Sequence, residues 1–302
     1  MRFVQLTVIF QWTGSRMSAV DETVLYSPTF LSVDHDDEVL CGEYSQIIFD
    51  ILYTQEEEQL AHDNFMKHQK EMTHYHRRVI VDWLADVCNE FQCVNETFFL
   101  SVKLLDRYLT LNRDVEKNDF QLVAVTCLSL AAKFEQGLSP SVAQLEEICD
   151  GAYAPEVIVD MEVSLLALLD FQVSLVHPMH FLRRYSRAAK CGYFAYNLSK
   201  YLCELSMTSA EHQLRKPSLL AAASVYAAQK MLGVEEPWTQ QMTQYTSYQS
   251  PDVDKMGRQL LFLFVDQQHG SKDKNKEPCN ALFRKYSAAD HYSVSKISPH
   301  SF

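Results

Sequence analysis

Eleven histidines and eight cysteines are the residues of widest chemical reach in this sequence, and their spacing limits what they can do. His74 and His76 stand two apart, but the His-Glu-x-x-His pattern that presents two imidazoles and a base on one helix face is missing. Solvent is expected to satisfy both rings, and no metal site is expected. The cysteines stand singly at 41, 88, 93, 127, 149, 191, 203 and 279, several of them inside apolar runs. That suits reduced core thiols better than a disulfide frame or a zinc site. The glycines are isolated, so no phosphate-cradling loop is present, nor is there a nucleophile elbow or a paired-carboxylate segment. Neither catalysis nor a cofactor is expected.

Charge in apolar surroundings is the stronger signal. Lys133 ends the most apolar stretch of the chain, directly before Phe134. Glu162 shares a helical face with Ile158, Leu165, Leu166 and Leu169. A charge on an apolar stripe is costly unless it is paired or lies at an interface. Either the two side chains reach past the core to water or pair with each other, or they anchor a partner surface ringed by Leu130, Phe134, Leu166 and Phe171. Arg77, Asp82 and Asp106 also interrupt apolar helices, and a buried Arg77–Asp106 bond tying one helix to the next is the economical arrangement.

The elements that carry these residues are helical. Only 8 Gly and 9 Pro occur in 302 residues of which 47% are hydrophobic, too few for a sheet-and-turn protein. Val79, Ile80, Trp83, Leu84, Val87 and Phe91 form one stripe of a helix from His76 to Phe91. Asn95 reads as the N-cap of a second helix to Leu111, and Lys117-Asn118-Asp119 opens a third from Phe120 to Phe134, apolar on nearly every side. Ser139-Pro140-Ser141 and Ala154-Pro155 start two more, ending near Asp150 and Asp170. Five further helices are expected near 177–191, 194–209, 217–232, 239–245 and 251–268. Leu219–Lys230 aligns with Leu122–Lys133 at matching Leu, Ala, Ala and Lys positions, so the chain reads as two copies of one five-helix unit built around its third helix.

The domain boundaries expected are a disordered leader over 1–40, an N-terminal helix region over 41–73, helical units over 74–173 and 174–268, and a flexible extension over 269–302. The apolar run from Phe3 to Phe10 lacks a convincing cleavage site, no stretch of about 20 apolar residues follows, and the sequons at Asn95 and Asn197 are taken as helix chemistry and chance. Met17 is an alternative start. A net charge of -12 gives no broad phosphate-binding footprint, which argues against direct nucleic-acid binding.

His76-Arg-Arg-Val-Ile-Val-Asp-Trp-Leu84, Leu104-Leu-Asp-Arg-Tyr-Leu109, Gln121-Leu122 through Ala131-Ala-Lys-Phe-Glu135, and Met161-Glu162 resemble the cyclin box of A- and B-type cyclins. Its five most characteristic positions are matched by Arg77, Asp106, Leu122, Lys133 and Glu162. Phe65-Met-Lys-His-Gln69 and the segment beginning at Tyr44 are similar to what precedes the box in mitotic cyclins. Lys285-Tyr286 and Tyr292-Ser-Val-Ser295 are similar to A-type tails, which favours the A type. The resemblance spans residues 44 to 298.

It implies an all-α chain of two tandem five-helix cyclin-box folds after an N-terminal helix, serving as the activating subunit of a cyclin-dependent serine/threonine kinase in cell-cycle control and not itself an enzyme. By the family pattern, Lys133 and Glu162 hydrogen-bond the kinase near its regulatory helix, with Leu130, Phe134, Leu166, Phe171 and Tyr44 packing around it. His76, Val79, Ile80, Trp83, Asp86 and Gln121 match the family's docking patch for Arg-x-Leu substrates and inhibitors, although His76 stands where the family usually has Met. Trp83 on an isolated helix would otherwise read as a core residue. Nucleus and cytoplasm are the expected locations, with no membrane or nucleic-acid partner. The Arg-x-x-Leu destruction box has one match, Arg258-Gln-Leu-Leu261, inside a predicted helix. A cyclin-fold scaffold in transcription that activates no kinase is the competing expectation.

Overall fold

The computed structural model describes residues 44–60, 65–269 and 280–298; the expected leader, the Phe3–Phe10 run and Met17 lie outside them. The described residues form twelve α-helices with short 3₁₀ turns and no strand. Helix α1 (Ser45–Gln59) comes first. The first unit is α2 (His74–Glu90), α3 (Asn95–Leu111), α4 (Phe120–Glu135), α5 (Val142–Ile148) and α6 (Pro155–Leu168). The second is α7 (Met179–Ala188), α8 (Tyr193–Met207), α9 (Pro217–Met231), α10 (Gln240–Thr246) and α11 (Ser250–His269), followed by α12 (Ala281–Tyr286).

Each unit wraps its third helix. From Phe120 to Ala132 every α4 side chain except Gln121 is buried, and α9 is buried almost as completely. Helices that are apolar all round have no polar face to give to water, so neighbours must enclose them. Starts follow local chemistry: Thr73 and His76 form a capping box for α2, Ser141 and Gln144 another for α5, and Pro155 and Pro217 occupy first turns where no N–H is needed. The expected Asn95 cap is corrected: Val94 is the cap residue, and Asn95 lies inside α3, where its Oδ1 accepts from Lys285.

The repeat extends to side-chain chemistry. Lys133 near the end of α4 binds Glu162 on α6, and Lys230 near the end of α9 binds Asp254 on α11, in each case third helix to fifth.

Arg77 joins the units. Its side chain is fully buried, Nε and Nη2 each donate to an Asp106 oxygen at 2.7 Å, and Nη1 donates to the Met207 carbonyl at 2.9 Å, so one guanidinium ties α2, α3 and the end of α8 together. Gln69 pins the chain before α2, donating to the carbonyls of Leu109 and Asn112 and accepting from Val115 N. Helix α1 packs on the second unit. Tyr53 stacks on Phe181 and meets Tyr185 through their hydroxyls at 2.7 Å, while buried Glu56 accepts from Ser218 N and Oγ in the first turn of α9. A carboxylate there answers the positive end of the helix.

The flexible extension is corrected for its described part. Buried Glu204 on α8 accepts from Lys285 Nζ at 2.9 Å and from Tyr286 OH at 2.7 Å, and Tyr286, Leu282 and Val294 are buried. A polar, aperiodic sequence concealed this because the buried apolar residues form no regular stripe and the buried carboxylate that also holds the tail lies far away in the chain.

Breaking a buried pair from one side leaves an uncompensated charge. Arg77→Ala is therefore expected to lower unfolding free energy by about 3–5 kcal/mol, with Lys285→Ala moving in the same direction. Lys70→Ala, whose pair with Asp114 stands in solvent, should leave the denaturant midpoint in place.

Candidate functional site

Lys133 Nζ donates to both Glu162 oxygens at 2.6 Å, and the two side chains are 45% and 22% exposed. Each finds only the other among the described residues. The repeat supplies the contrast, because Asp254 accepts not only from Lys230 but also from Tyr226 OH at 2.7 Å and Arg258 Nε at 2.8 Å. One copy of the pair is saturated within the chain; the other keeps hydrogen-bonding capacity facing outward.

Apolar side chains surround the unsaturated copy. Helix α6 buries Ile158 and Leu165 but turns Val157, Val159, Val163 and Leu168 to solvent, Val163 to 63%. An apolar helix with much of its surface uncovered is the signature of an interface. Leu130 is buried, Phe134 and Leu166 are half-buried, and Phe171 is 71% exposed. Phe171 is held outward by backbone: a Schellman closure donates Asp170 N to Ala167 O and Phe171 N to Leu166 O, with both residues at positive φ (50° and 57°). Neither residue is glycine, so the turn carries strain of about 1–2 kcal/mol per residue.

Gln136 is a positioning residue that the sequence pattern did not single out. Its Oε1 accepts from Val94 N and Thr97 Oγ1, and its Nε2 donates to Leu138 O, which fixes the turn carrying Leu138 out to 80% exposure. A lone Gln after an apolar helix has no periodic signal to find. Tyr44, also expected at this site, is exposed before α1, whose Ser45 carbonyl accepts from Arg184 on α7.

A second group of expected residues lies along α2. His76, Val79, Ile80, Trp83 and Asp86 fall on one helix side, with Gln121 at the start of α4. Ile80 is buried, while Val79, Trp83 and Gln121 are half-buried. Trp83 also packs against both core clusters, so core and surface share it. His76 turns back to the cap, its Nδ1 accepting from Thr73 N at 3.2 Å. Asp86 is not free: Arg284 of α12 donates to both its oxygens at 2.8 and 2.6 Å. Beside it, Asp82 accepts from Ala281 N, and burial pushes its carboxyl up to about 6.

Arg258-Gln-Leu-Leu261 lies within α11, where Arg258 pairs with Asp254. Asn197 is buried and donates to Tyr193 O, so that sequon faces the helix rather than solvent. The cysteines at 88, 93, 127, 149, 191 and 203 are free thiols.

Residues 47–174 match the family described as the cyclin N-terminal domain, and residues 176–300 the cyclin C-terminal domain. The chain is similar to the G2/mitotic-specific cyclin-B of Drosophila melanogaster (31% identity, 92% of this chain, 56% of the relative). It is similar as well to that of Dictyostelium discoideum (36%, 75% and 52%) and to cyclin-B1 of Xenopus laevis (35%, 73% and 56%). It thus spans little more than half the length of these relatives. Their B-type character supports a mitotic cyclin and lends nothing to the A-type preference. Among solved structures, a viral cyclin from herpesvirus saimiri superposes with TM-score 0.65 at 19% identity, covering 72% of this chain and 96% of that one. A chain of the yeast RNA Pol II CTD kinase CTDK-1 complex gives 0.56 at 14%, covering 76% and 82%. Both likenesses concern the fold.

Asp82 yields a pH prediction. Its folded pKa lies above the ordinary carboxylate value, so its contribution to stability is present at low pH and is lost as pH rises from about 4 through about 6. Asp82→Asn keeps an acceptor for Ala281 N and removes the titration. The thermal midpoint of the variant relative to the parent chain is expected to improve between pH 4.5 and 7.5, by about that window's linkage; parallel curves would contradict the assignment.

Proposed function

The chain belongs to the cyclin family, and we propose that it is a mitotic cyclin that binds and activates a cyclin-dependent serine/threonine kinase in cell-cycle control. The observation that carries this reading is the difference between the two repeated Lys–carboxylate pairs. Lys230–Asp254 is closed by Tyr226 and Arg258, whereas Lys133–Glu162 is open and ringed by uncovered apolar side chains.

A partner element laid on α4 and α6 would bury Phe171, Leu168 and Val163 as its apolar anchors. Its backbone or side-chain polar groups would meet Lys133 and Glu162, which fix register and orientation. Because the pair is already joined within the chain, both charges arrive pre-positioned, and little side-chain entropy is lost on binding. The partner is the kinase's regulatory helix in its inward position. The cyclin binds that conformation and shifts the kinase population toward it, so that the kinase's own Lys–Glu pair and metal site assemble and the chemistry stays with the kinase.

The α2 face, with Val79, Ile80, Trp83 and Gln121, is the dock for Arg-x-Leu substrates and inhibitors. Asp86 receives their basic residue, in competition with Arg284. Nucleus and cytoplasm are the locations that follow from such a role.

Exchanging the charges, Lys133→Glu with Glu162→Lys, preserves an ion pair inside the chain and reverses it toward the partner. Helical content by circular dichroism should stay, while kinase capture falls by about 30-fold or more. Undiminished kinase activity in the pull-down would refute the role.

The dock makes its own prediction. Trp83→Ala should weaken binding of an Arg-x-Leu peptide without loss of the kinase. Arg284→Ala, which frees Asp86, should strengthen it by a few fold, and equal peptide affinities across parent and variants would remove the assignment.

A further inference from the structure

His177 is the least explained side chain in the fold. It lies between the two units, just before α7, is fully buried, and neither ring nitrogen has a hydrogen-bond partner. Buried polar atoms are nearly always satisfied, so an orphaned imidazole calls for a ligand. The rings of Phe99 of α3 and of His180 both stack on His177, with centroids at 5.6 and 3.8 Å. Stacking engages the ring's π system and leaves its in-plane lone pair and N–H without a partner.

The third member of the group arrives from the first unit. Glu135, the last residue of α4, brings Oε1 to 3.7 Å from His177 Nε2. That is beyond hydrogen-bonding distance. It is close to the separation of about 3.3 Å between two donors on one tetrahedral zinc ion with bonds of roughly 2.0–2.1 Å. Donor atoms of Glu135, His177 and His180 all lie within 4.8 Å of one another. We propose that Glu135, His177 and His180 chelate a divalent ion of the zinc class at the junction of the two units, with water in the fourth position.

The donor set selects the ion. Two imidazoles and one carboxylate suit zinc, cobalt or nickel, whereas magnesium and calcium require oxygen ligands. Glu135 and His180 are only partly buried, whereas His177 is fully buried. Coordination asks the site to adjust at His180. The His180 ring leaves its stack on His177 and gives up the contact in which its Nδ1 accepts from His177 N, a long one at 3.3 Å. Burial keeps both rings neutral, so each would offer the ion its unprotonated nitrogen and keep its proton on the other. Glu96 lies beside both histidines, but its Oε1 already accepts from Arg183 at 2.7 Å, and Lys103 adds a positive charge near His177. The carboxylate of Glu135 is the negative ligand that would meet the ion.

Such an ion clamps the end of α4, two residues beyond Lys133, to the start of the second unit. The clamp is independent of the kinase reading, and so is its test.

The purified full chain, stripped with a chelator, is titrated with zinc chloride by calorimetry and thermal unfolding, and with cobalt(II) by visible absorption. One equivalent of zinc should bind, raising the unfolding midpoint by roughly 5 °C at about 100 times Kd. Cobalt should give d–d bands with no thiolate charge transfer. His177→Phe keeps an aromatic ring to stack on Phe99 and His180, so it should fold and match or exceed the metal-free parent's midpoint while losing the zinc-induced rise. Glu135→Gln should weaken zinc binding by about 10-fold or more. The proposal is overturned by a parent chain whose midpoint ignores zinc, by equal zinc binding in His177→Phe, or by a cobalt spectrum with thiolate bands, which would put the ion on cysteines.

Discussion

The buried guanidinium of Arg77 is the constraint on which the rest of the molecule depends. A charge taken out of water is tolerated only if nearly all of its donors are met in good geometry, and its acceptors come from two other helices, one in each unit. The tolerance of a charge-assisted hydrogen bond is a few tenths of an ångström. Helices α2, α3 and α8 are therefore held in one arrangement, and the elements packed on them inherit it. Helix α4 lies against α3 and carries Lys133; α2 carries the proposed dock. Both faces are oriented by a residue that neither exposes.

Around that constraint the chain uses one local device twice. A lysine near the end of the buried third helix reaches a carboxylate on the fifth, and in each unit this settles the charge that ends an apolar helix. In the second unit a tyrosine and an arginine complete the acceptor, leaving nothing for a partner. In the first the pair stands alone while the neighbouring helix keeps its valines and leucines in solvent. Divergence between repeats thus separates a closed ion pair from the open one proposed as a recognition element, without altering the scaffold that presents it.

The tail adds a link between stability and the second face. Glu204 cannot be buried without Lys285 and Tyr286, so α12 must dock; once docked, it lays Arg284 on Asp86. The occupation of an acidic anchor on α2 is thus a by-product of satisfying a carboxylate on α8.

Much of this was legible in the sequence. Helical periodicity placed ten helices within a few residues, the scarcity of Gly and Pro excluded a sheet protein, and the all-round apolar character of Leu122–Lys133 and Leu219–Lys230 identified the two central helices. These are properties of neighbours a few positions apart, which the backbone repeat converts directly into faces. Lys133 and Glu162 were visible for the same reason, as charges that violate their own stripes. The partners of Glu204, the dual hold of Gln136, the carbonyl that Arg77 reaches and the orphaned ring of His177 were not visible. Each depends on residues tens to more than a hundred positions apart being packed together, and no local period records which distant atom will meet, or fail to meet, a polar group. Only the packed tertiary structure decides that, because desolvation, which makes an unmet polar group costly, exists only once the units have closed on one another.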